Sequence, residues 1–361
     1  MTHARAGLVA MLALTAPAGV ARAEVSRFEI ASRADVGPSG YERIVGTVAF
    51  AETARQASTD LYILRPKDRA HSNGSVLVDV CDGGAKTAIR RFNLGSPTPD
   101  FESEDDLGDR FLMRFGFTIV WVGCRLDPDR DRDALRAAVR DVVSWLKHGK
   151  SDIGRVRLAY GYGAAGAAAF LSGFLADELN KDAIGDPVFD GLFLYAPPRG
   201  NLPPMRAPQP KIFRVVPSGD PPAGALPDNA RVYALAGAPA VPSRFPPLAD
   251  AGSIPNPVDP IWTLRALMLA LHRWASAGSP PPPSGRIELP DVAVPLATYT
   301  LETMKPLPRR SIEERYTSRD DYLARVEKAA DALVLRRLLL IDDVPRIVQR
   351  ASDTWDWILD R

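Results

Sequence analysis

The chain has 361 residues, 46% hydrophobic and 25% charged. That composition suits a globular protein with apolar mass for a sizeable core, and it excludes a disordered chain, a coiled coil and a multi-pass membrane protein. The 45 basic and 44 acidic residues leave a formal net charge of +1, which supplies no field to hold a phosphate backbone and argues against a nucleic-acid binder.

Residues 1–23 read as a secretory signal. His3 and Arg5 precede the apolar run from Gly7 to Val20, and Ala21-Arg22-Ala23 gives an A-x-A pattern with cleavage before Glu24. The expected location is therefore secreted or periplasmic. No later segment has 18 consecutive apolar residues, so no membrane span is expected.

Residues 24–70 predict short strands at Val25 to Ala31, Ile44 to Phe50 and Asp60 to Leu64. From about 71 to 276, strands alternate with helices. Strands are expected at Ser75 to Val80, Phe117 to Gly123, Val156 to Tyr160, Val188 to Tyr195, Lys211 to Val216 and Arg231 to Leu235. Helices are expected at Asp133 to Lys147, Ala164 to Leu179 and Ile261 to Trp274. In the first of these, Leu135, Val139, Val142, Val143 and Leu146 share one face at helical spacing. The alternation predicts an α/β fold with a mostly parallel central sheet covered on both faces. A Pro-rich segment and an edge strand at Glu288 to Thr300 occupy 277–310, closing a main domain over 24–310. Residues 311–361 form a helical C-terminal extension that packs on the same domain, with Asp320 to Leu340 as its longest helix.

Cys81 and Cys124 each close a strand-like run. If those strands are parallel neighbours, their ends lie within bonding reach, and an oxidising compartment invites a disulfide; two buried thiols are the alternative.

The chemically informative segment is Arg155-Val-Arg-Leu-Ala-Tyr-Gly-Tyr-Gly-Ala-Ala-Gly166. A strand, a Gly-rich turn and a helix of small residues form the context of a nucleophile elbow, G-x-S-x-G. With Gly161 as its first glycine, the nucleophile position is Gly163, flanked by Tyr162 and Ala164. Gly161, Gly163 and Gly166 also satisfy the dinucleotide pattern G-x-G-x-x-G. That motif belongs on the first strand of a nucleotide-binding half, with an acid about 20 residues on. Here it follows at least two sheet strands, and the next strand ends Leu194-Tyr195-Ala196-Pro197 without an acid. No cofactor is expected.

Several stretches carry a resemblance: Gly40 to Gly46, Leu64-Arg-Pro66, Val76 to Asp79, Phe111 to Phe117, Arg140-Asp141, Trp145-Leu146, Val188 to Gly191, Ala236-Gly237, Leu269 to Trp274, Val292 to Thr300 and Glu313 to Tyr322. Together they resemble the bacterial α/β-hydrolase-domain proteins of secreted esterase type. The resemblance implies an α/β-hydrolase fold with a Ser/acid/His triad and an oxyanion loop after the third strand. It places the serine at Gly163, the acid at Asp220 in Pro217-Ser-Gly-Asp220, and the histidine at or near Ala240. The oxyanion loop falls on Cys81-Asp82-Gly83-Gly84. Turn, acid and loop are kept, while nucleophile and base lack functional side chains.

The four histidines agree. His3 leaves with the signal, His71 precedes the third strand, His148 ends a helix below the sheet, and only His272 lies downstream of the elbow, inside a helix. Ser172 sits two turns into its helix as a back-bonding hydroxyl, and Cys81 is consumed if it is bonded. Histidines are too scattered for a metal site, and Asp131-Arg-Asp133 reads as a solvated turn or helix cap. The expected function is a non-catalytic binder of a small-molecule or acyl ligand on a degenerate hydrolase fold. The alternatives are an active hydrolase of esters or related acyl compounds using atypical residues, and an interaction module whose pocket has filled in. Protein partners cannot be named from these residues.

Overall fold

The computed structural model describes residues 25–51, 58–81, 85–96, 101, 103–127, 130–148, 154, 156–198, 200, 209–219, 225–249 and 252–359. The expected signal segment, Asp82, Gly83, Gly84 and Asp220 lie outside the described residues.

The first half contains β1 (Val25–Asp35), β2 (Tyr41–Phe50), β3 (Ser58–Pro66), β4 (Ser75–Asp79), α1 (Thr87–Asn93), α2 (Phe111–Arg114), β5 (Thr118–Val122) and α3 (Arg132–Lys147). Then come β6 (Leu158–Ala164), α4 (Gly166–Ala176), β7 (Gly191–Tyr195), β8 (Lys211–Pro217), β9 (Ala230–Ala236), β10 (Ile254–Pro255) and α5 (Ile261–Ala277). The chain ends with β11 (Gly285–Glu288), α6 (Pro290–Ala293), β12 (Ala297–Tyr299), β13 (Thr303–Pro306), α7 (Arg309–Arg315), α8 (Arg319–Leu335) and α9 (Val344–Leu359).

Ten strands form one sheet in the order β1-β2-β3-β5-β4-β6-β7-β8-β9-β11. The first three pair antiparallel, and β3 meets β5 antiparallel; from β5 onward every pairing is parallel. Parallel strands need both faces covered, and the alternation along β4 and β6 supplies two apolar faces. Leu77 and Tyr160 point into one core layer with α1, α5, α8 and α9. Val76, Val78 and Ala159 point into the other, with α3 and α4. No helix among the described residues is long and apolar enough to cross a membrane.

Among the boundaries that differ from the sequence reading, three bear on the site and the extension. The strand expected to end at Tyr160 runs on to Ala164. Glu288 to Thr300 is not one edge strand. β11 ends at Glu288, Pro290 opens the short α6, and β12 joins β10 and β13 in a separate three-stranded sheet. Proline lacks the N–H a strand ladder needs but fits the first turn of a helix. The long C-terminal helix stops at Leu335, because Arg337 takes a left-handed φ of 60°.

The extension is fastened by a buried cation. Arg265 on α5 is fully buried. Its Nε donates to the Phe92 carbonyl (2.6 Å), Nη2 to Asp109 (2.7 Å) and Nη1 to Asp343 (3.1 Å). Its guanidinium lies against the Phe111 and Trp262 rings at 4.8 and 4.9 Å. One side chain thus ties α5 to α1, to the loop before α2 and to the turn before α9. Removing it leaves the buried Asp343 carboxylate without its ion-pair partner, while Asp109 keeps Arg346. Arg265→Met is expected to lose about 3–5 kcal/mol of stability, measured by urea unfolding; a loss below about 1 kcal/mol would show that the network is not needed.

Candidate functional site

The elbow lies at the C-terminal edge of the parallel sheet, between β6 and α4. Ala165 alone separates strand from helix, with φ 48° and ψ −109°. Its N–H donates to the Tyr195 carbonyl on β7 (2.9 Å). A left-handed, strained residue on a strand-to-helix turn is the hallmark of the nucleophile position, and Ala165 is exposed. The pattern is therefore Gly163-Ala164-Ala165-Gly166, and the elbow residue is Ala165.

This corrects the assignment of Gly163. Gly163 is a buried strand residue paired with Leu194 of β7. It is glycine because α4 crosses directly above it. A Cβ there would stand 2.6 Å from the Ala167 carbonyl carbon and oxygen and 2.8 Å from the Ala168 nitrogen. The glycines that suggested a turn are instead gaps in a strand beneath a close helix. Tyr162 and Ala164 flank Gly163 within β6, and of the two only Ala164 adjoins the elbow residue. The conclusion about chemistry is unchanged, since alanine has no atom that attacks a carbonyl. The signal that locates Ala165 in the sequence is the second reading frame of the same motif, small residues at 163 and 167 with the elbow midway.

The oxyanion donors of such an elbow are the amide after the nucleophile and one from the loop after the third strand of the fold. The first is Gly166, at the N-terminus of the 11-residue α4, which has no side-chain cap. The second falls in the loop after β4. That loop begins at Cys81, which is bonded to Cys124 with a Cα–Cα distance of 5.3 Å. The bonded sulfur offers no thiolate.

The loop after β9 carries the expected base position. Asn256 Nδ2 donates to the Gly237 carbonyl (2.8 Å), Ser218 Oγ to the Ala238 carbonyl (2.8 Å) and Tyr195 Oη to the Pro239 carbonyl (2.8 Å). These bonds hold Ala240 near β7, the strand that pairs with β6. Arg91, on α1, reaches this loop. Its guanidinium lies 4.6 Å from the Tyr195 ring centre, and Nη2 donates to the Ala240 carbonyl at 3.5 Å. Tyr162, Tyr195 and Asp259 are its electrostatic neighbours.

The helix that carries Arg91 is anchored by Asp79, which the sequence offered only as a residue within the expected strand Ser75 to Val80. Asp79 is fully buried. Its carboxyl accepts from Trp121 Nε1 (2.7 Å), the Ala88 amide (2.8 Å) and Thr87 Oγ1 (3.1 Å), anchoring the first turn of α1. Burial pushes its pKa up to about 7 although these hydrogen bonds pull it down.

The described histidines stay away from the elbow. His272 Nδ1 bonds the Tyr160 hydroxyl at the other end of β6 (2.9 Å), and burial, with Arg273 and Arg157, lowers its pKa. His71 pairs with Asp68 on the surface. His148 meets Asp182 (2.9 Å) below the sheet. With Asp186 these two bring three ligand-type groups together. The same Asp182 carboxyl also accepts from Ser144 Oγ and from the Ile184 and Asp186 amides, so the grouping clasps a loop. Ser172 Oγ donates to the Ala168 carbonyl of its own helix (2.8 Å).

The order of the central sheet, with its parallel half and its elbow after the fifth strand from β2 in sequence order, is that of the α/β-hydrolase fold. Residues 285–349 match the family model described as an alpha/beta hydrolase domain, a segment that overlaps the resembling stretches Val292 to Thr300 and Glu313 to Tyr322. No curated protein matches the sequence. Solved structures with similarity include a hyperthermophilic esterase from the archaeon Pyrobaculum calidifontis. It has 16% identity, with 43% of this chain and 44% of that chain covered, and a TM-score of 0.30. A thermostable esterase from Pseudomonas putida shows 13% identity, 45% and 46% coverage and a TM-score of 0.31. A glucuronoyl esterase from Solibacter usitatus shows 10% identity, 55% and 71% coverage and a TM-score of 0.36. The chain spans less than half the length of the first two.

Two pairs of measurements test this geometry. Gly163→Ser is expected to destabilise by about 1–3 kcal/mol through overpacking against α4. Ala165→Gly is expected to be neutral or stabilising by up to about 1 kcal/mol, because glycine relieves the left-handed strain. Denaturant unfolding of the two variants checks both signs, and the reverse order would return the elbow to residue 163. For Asp79 the folded pKa lies above the unfolded value, so the native state holds the extra proton between about pH 4 and 7 and stability falls as pH rises through that window. The stability of the parent relative to Asp79→Asn is expected to decline across it; a flat difference would refute the buried acid.

Proposed function

We propose that this chain is a non-catalytic α/β-hydrolase-domain protein that binds a small acyl ligand at the elbow. The observation that carries the reading is Ala165. A methyl group occupies the strained position from which a hydroxyl would attack, so the first covalent step of ester hydrolysis has no nucleophile. Ala240 and Arg91 stand where a base is needed, and a guanidinium, always protonated, accepts no proton. What remains is the binding half of the machinery: the Gly166 amide at a helix N-terminus and a cation above Tyr195. An oxidising, extracytoplasmic location is supported by the signal-like residues 1–23 and by the Cys81–Cys124 bond.

The test is an assay with activated acyl esters beside labelling by a serine-directed fluorophosphonate. The parent protein is expected to show neither turnover nor labelling. Ala165→Ser alone, with no base to take its proton, is expected to stay unlabelled, and the pair Ala165→Ser with Ala240→His to gain both labelling and acylation by the ester. Enzyme-level turnover by the parent would replace this reading with that of an active hydrolase using atypical residues.

A further inference from the structure

Two sets of hydrogen-bond donors beside the elbow have no adequate acceptor. Arg91 carries five N–H donors; among the described residues they meet only the Ala240 carbonyl, at a long 3.5 Å, and the neighbouring Tyr162 hydroxyl. Tyr162 is fully buried, and its hydroxyl makes no hydrogen bond of good geometry, with Arg91 and Thr87 as its polar neighbours. Its ring is wedged edge-on against Phe92, 5.0 Å between centroids, and its hydroxyl lies within the electrostatic reach of Arg91. A buried hydroxyl left without a partner is costly, and so is a cation half-removed from water.

The surroundings do not neutralise Arg91. Asp259 is its nearest carboxylate in the electrostatic sense. The two form no ion pair among the described residues, and Asp259 Oδ1 accepts from the Ile261 amide at the start of α5. The guanidinium lies 4.6 Å from the Tyr195 ring centre, and the Tyr195 carbonyl takes the Ala165 N–H. Tyr195 therefore links the cation to the elbow, at the sheet edge where the uncapped α4 begins.

We infer that Arg91, assisted by the Tyr162 hydroxyl, receives the carboxylate of an acyl ligand, so that the preferred occupant is a free carboxylic acid rather than its ester. A guanidinium is built to take two carboxylate oxygens at once. The second donor beside it and the positive end of α4 favour the same charge. The site thus selects what a hydrolase would release. The inference rests on the elbow being a binding site, as proposed above.

The test uses hexanoate and its neutral methyl ester as probes, titrated calorimetrically into the purified full chain, with inorganic phosphate as the control anion. Hexanoate is expected to bind at least about tenfold tighter than methyl hexanoate, the equivalent of one charge-assisted hydrogen bond. Arg91→Gln is expected to abolish that preference, so that acid and ester bind alike. Arg91→Lys, which keeps the charge and loses the fork, falls between, and Tyr162→Phe weakens hexanoate to a smaller extent. Equal affinity for acid and ester, or a preference that survives Arg91→Gln, would overturn the inference and leave the binder reading standing. Phosphate binding as tightly as hexanoate would make this a general anion site and overturn the acyl assignment. Failure of both hexanoate and its ester to bind would remove the binder reading itself.

Discussion

There is no room for a single carbon atom between β6 and α4 at residue 163, and most of the site follows from that. The helix backbone passes so close above the strand that only glycine fits beneath it. Close passage forces the chain to reverse within one residue, and Ala165 takes the strain. A non-glycine residue at positive φ costs on the order of 1–3 kcal/mol, and here no reactive side chain accompanies that cost. The strain is tolerated because the turn is determined from both sides, by the strand ladder through the Tyr195 carbonyl and by the packing of α4.

The same edge of the sheet collects the groups that give the elbow its electrostatic character. β4 delivers Asp79, which fixes the first turn of α1 by three hydrogen bonds. α1 carries Arg91 to the space above Tyr195. β9 and the three-stranded sheet deliver Ala240, through Asn256 bridging Gly237 and Thr300. Where a hydrolase needs a base that exchanges protons, this edge presents a permanent cation. On the proposed function, that cation serves anion recognition in place of proton transfer.

The C-terminal extension belongs to the same physical unit. Arg265 connects it to α1 through the Phe92 carbonyl, one residue from Arg91. The buried network and the elbow therefore share an element, and the position of α1 depends on both Asp79 below and Arg265 behind.

The alternation of apolar runs and amphipathic stretches by itself determined the α/β class, the covered parallel sheet and the approximate place of every long element, because those depend on local periodicity and burial. The strand, Gly-rich bend and helix at residues 155–166 were also legible, since they follow from residue types. Which alanine sits at the turn was not. Gly161 and Gly163 look like turn residues in one dimension, and only the closeness of α4 shows that they are the floor under a helix. The roles of Asp79, Arg91 and Arg265 were equally invisible, because each acts through partners distant in the chain, and a lone charged residue in a sequence does not say which buried groups it will meet.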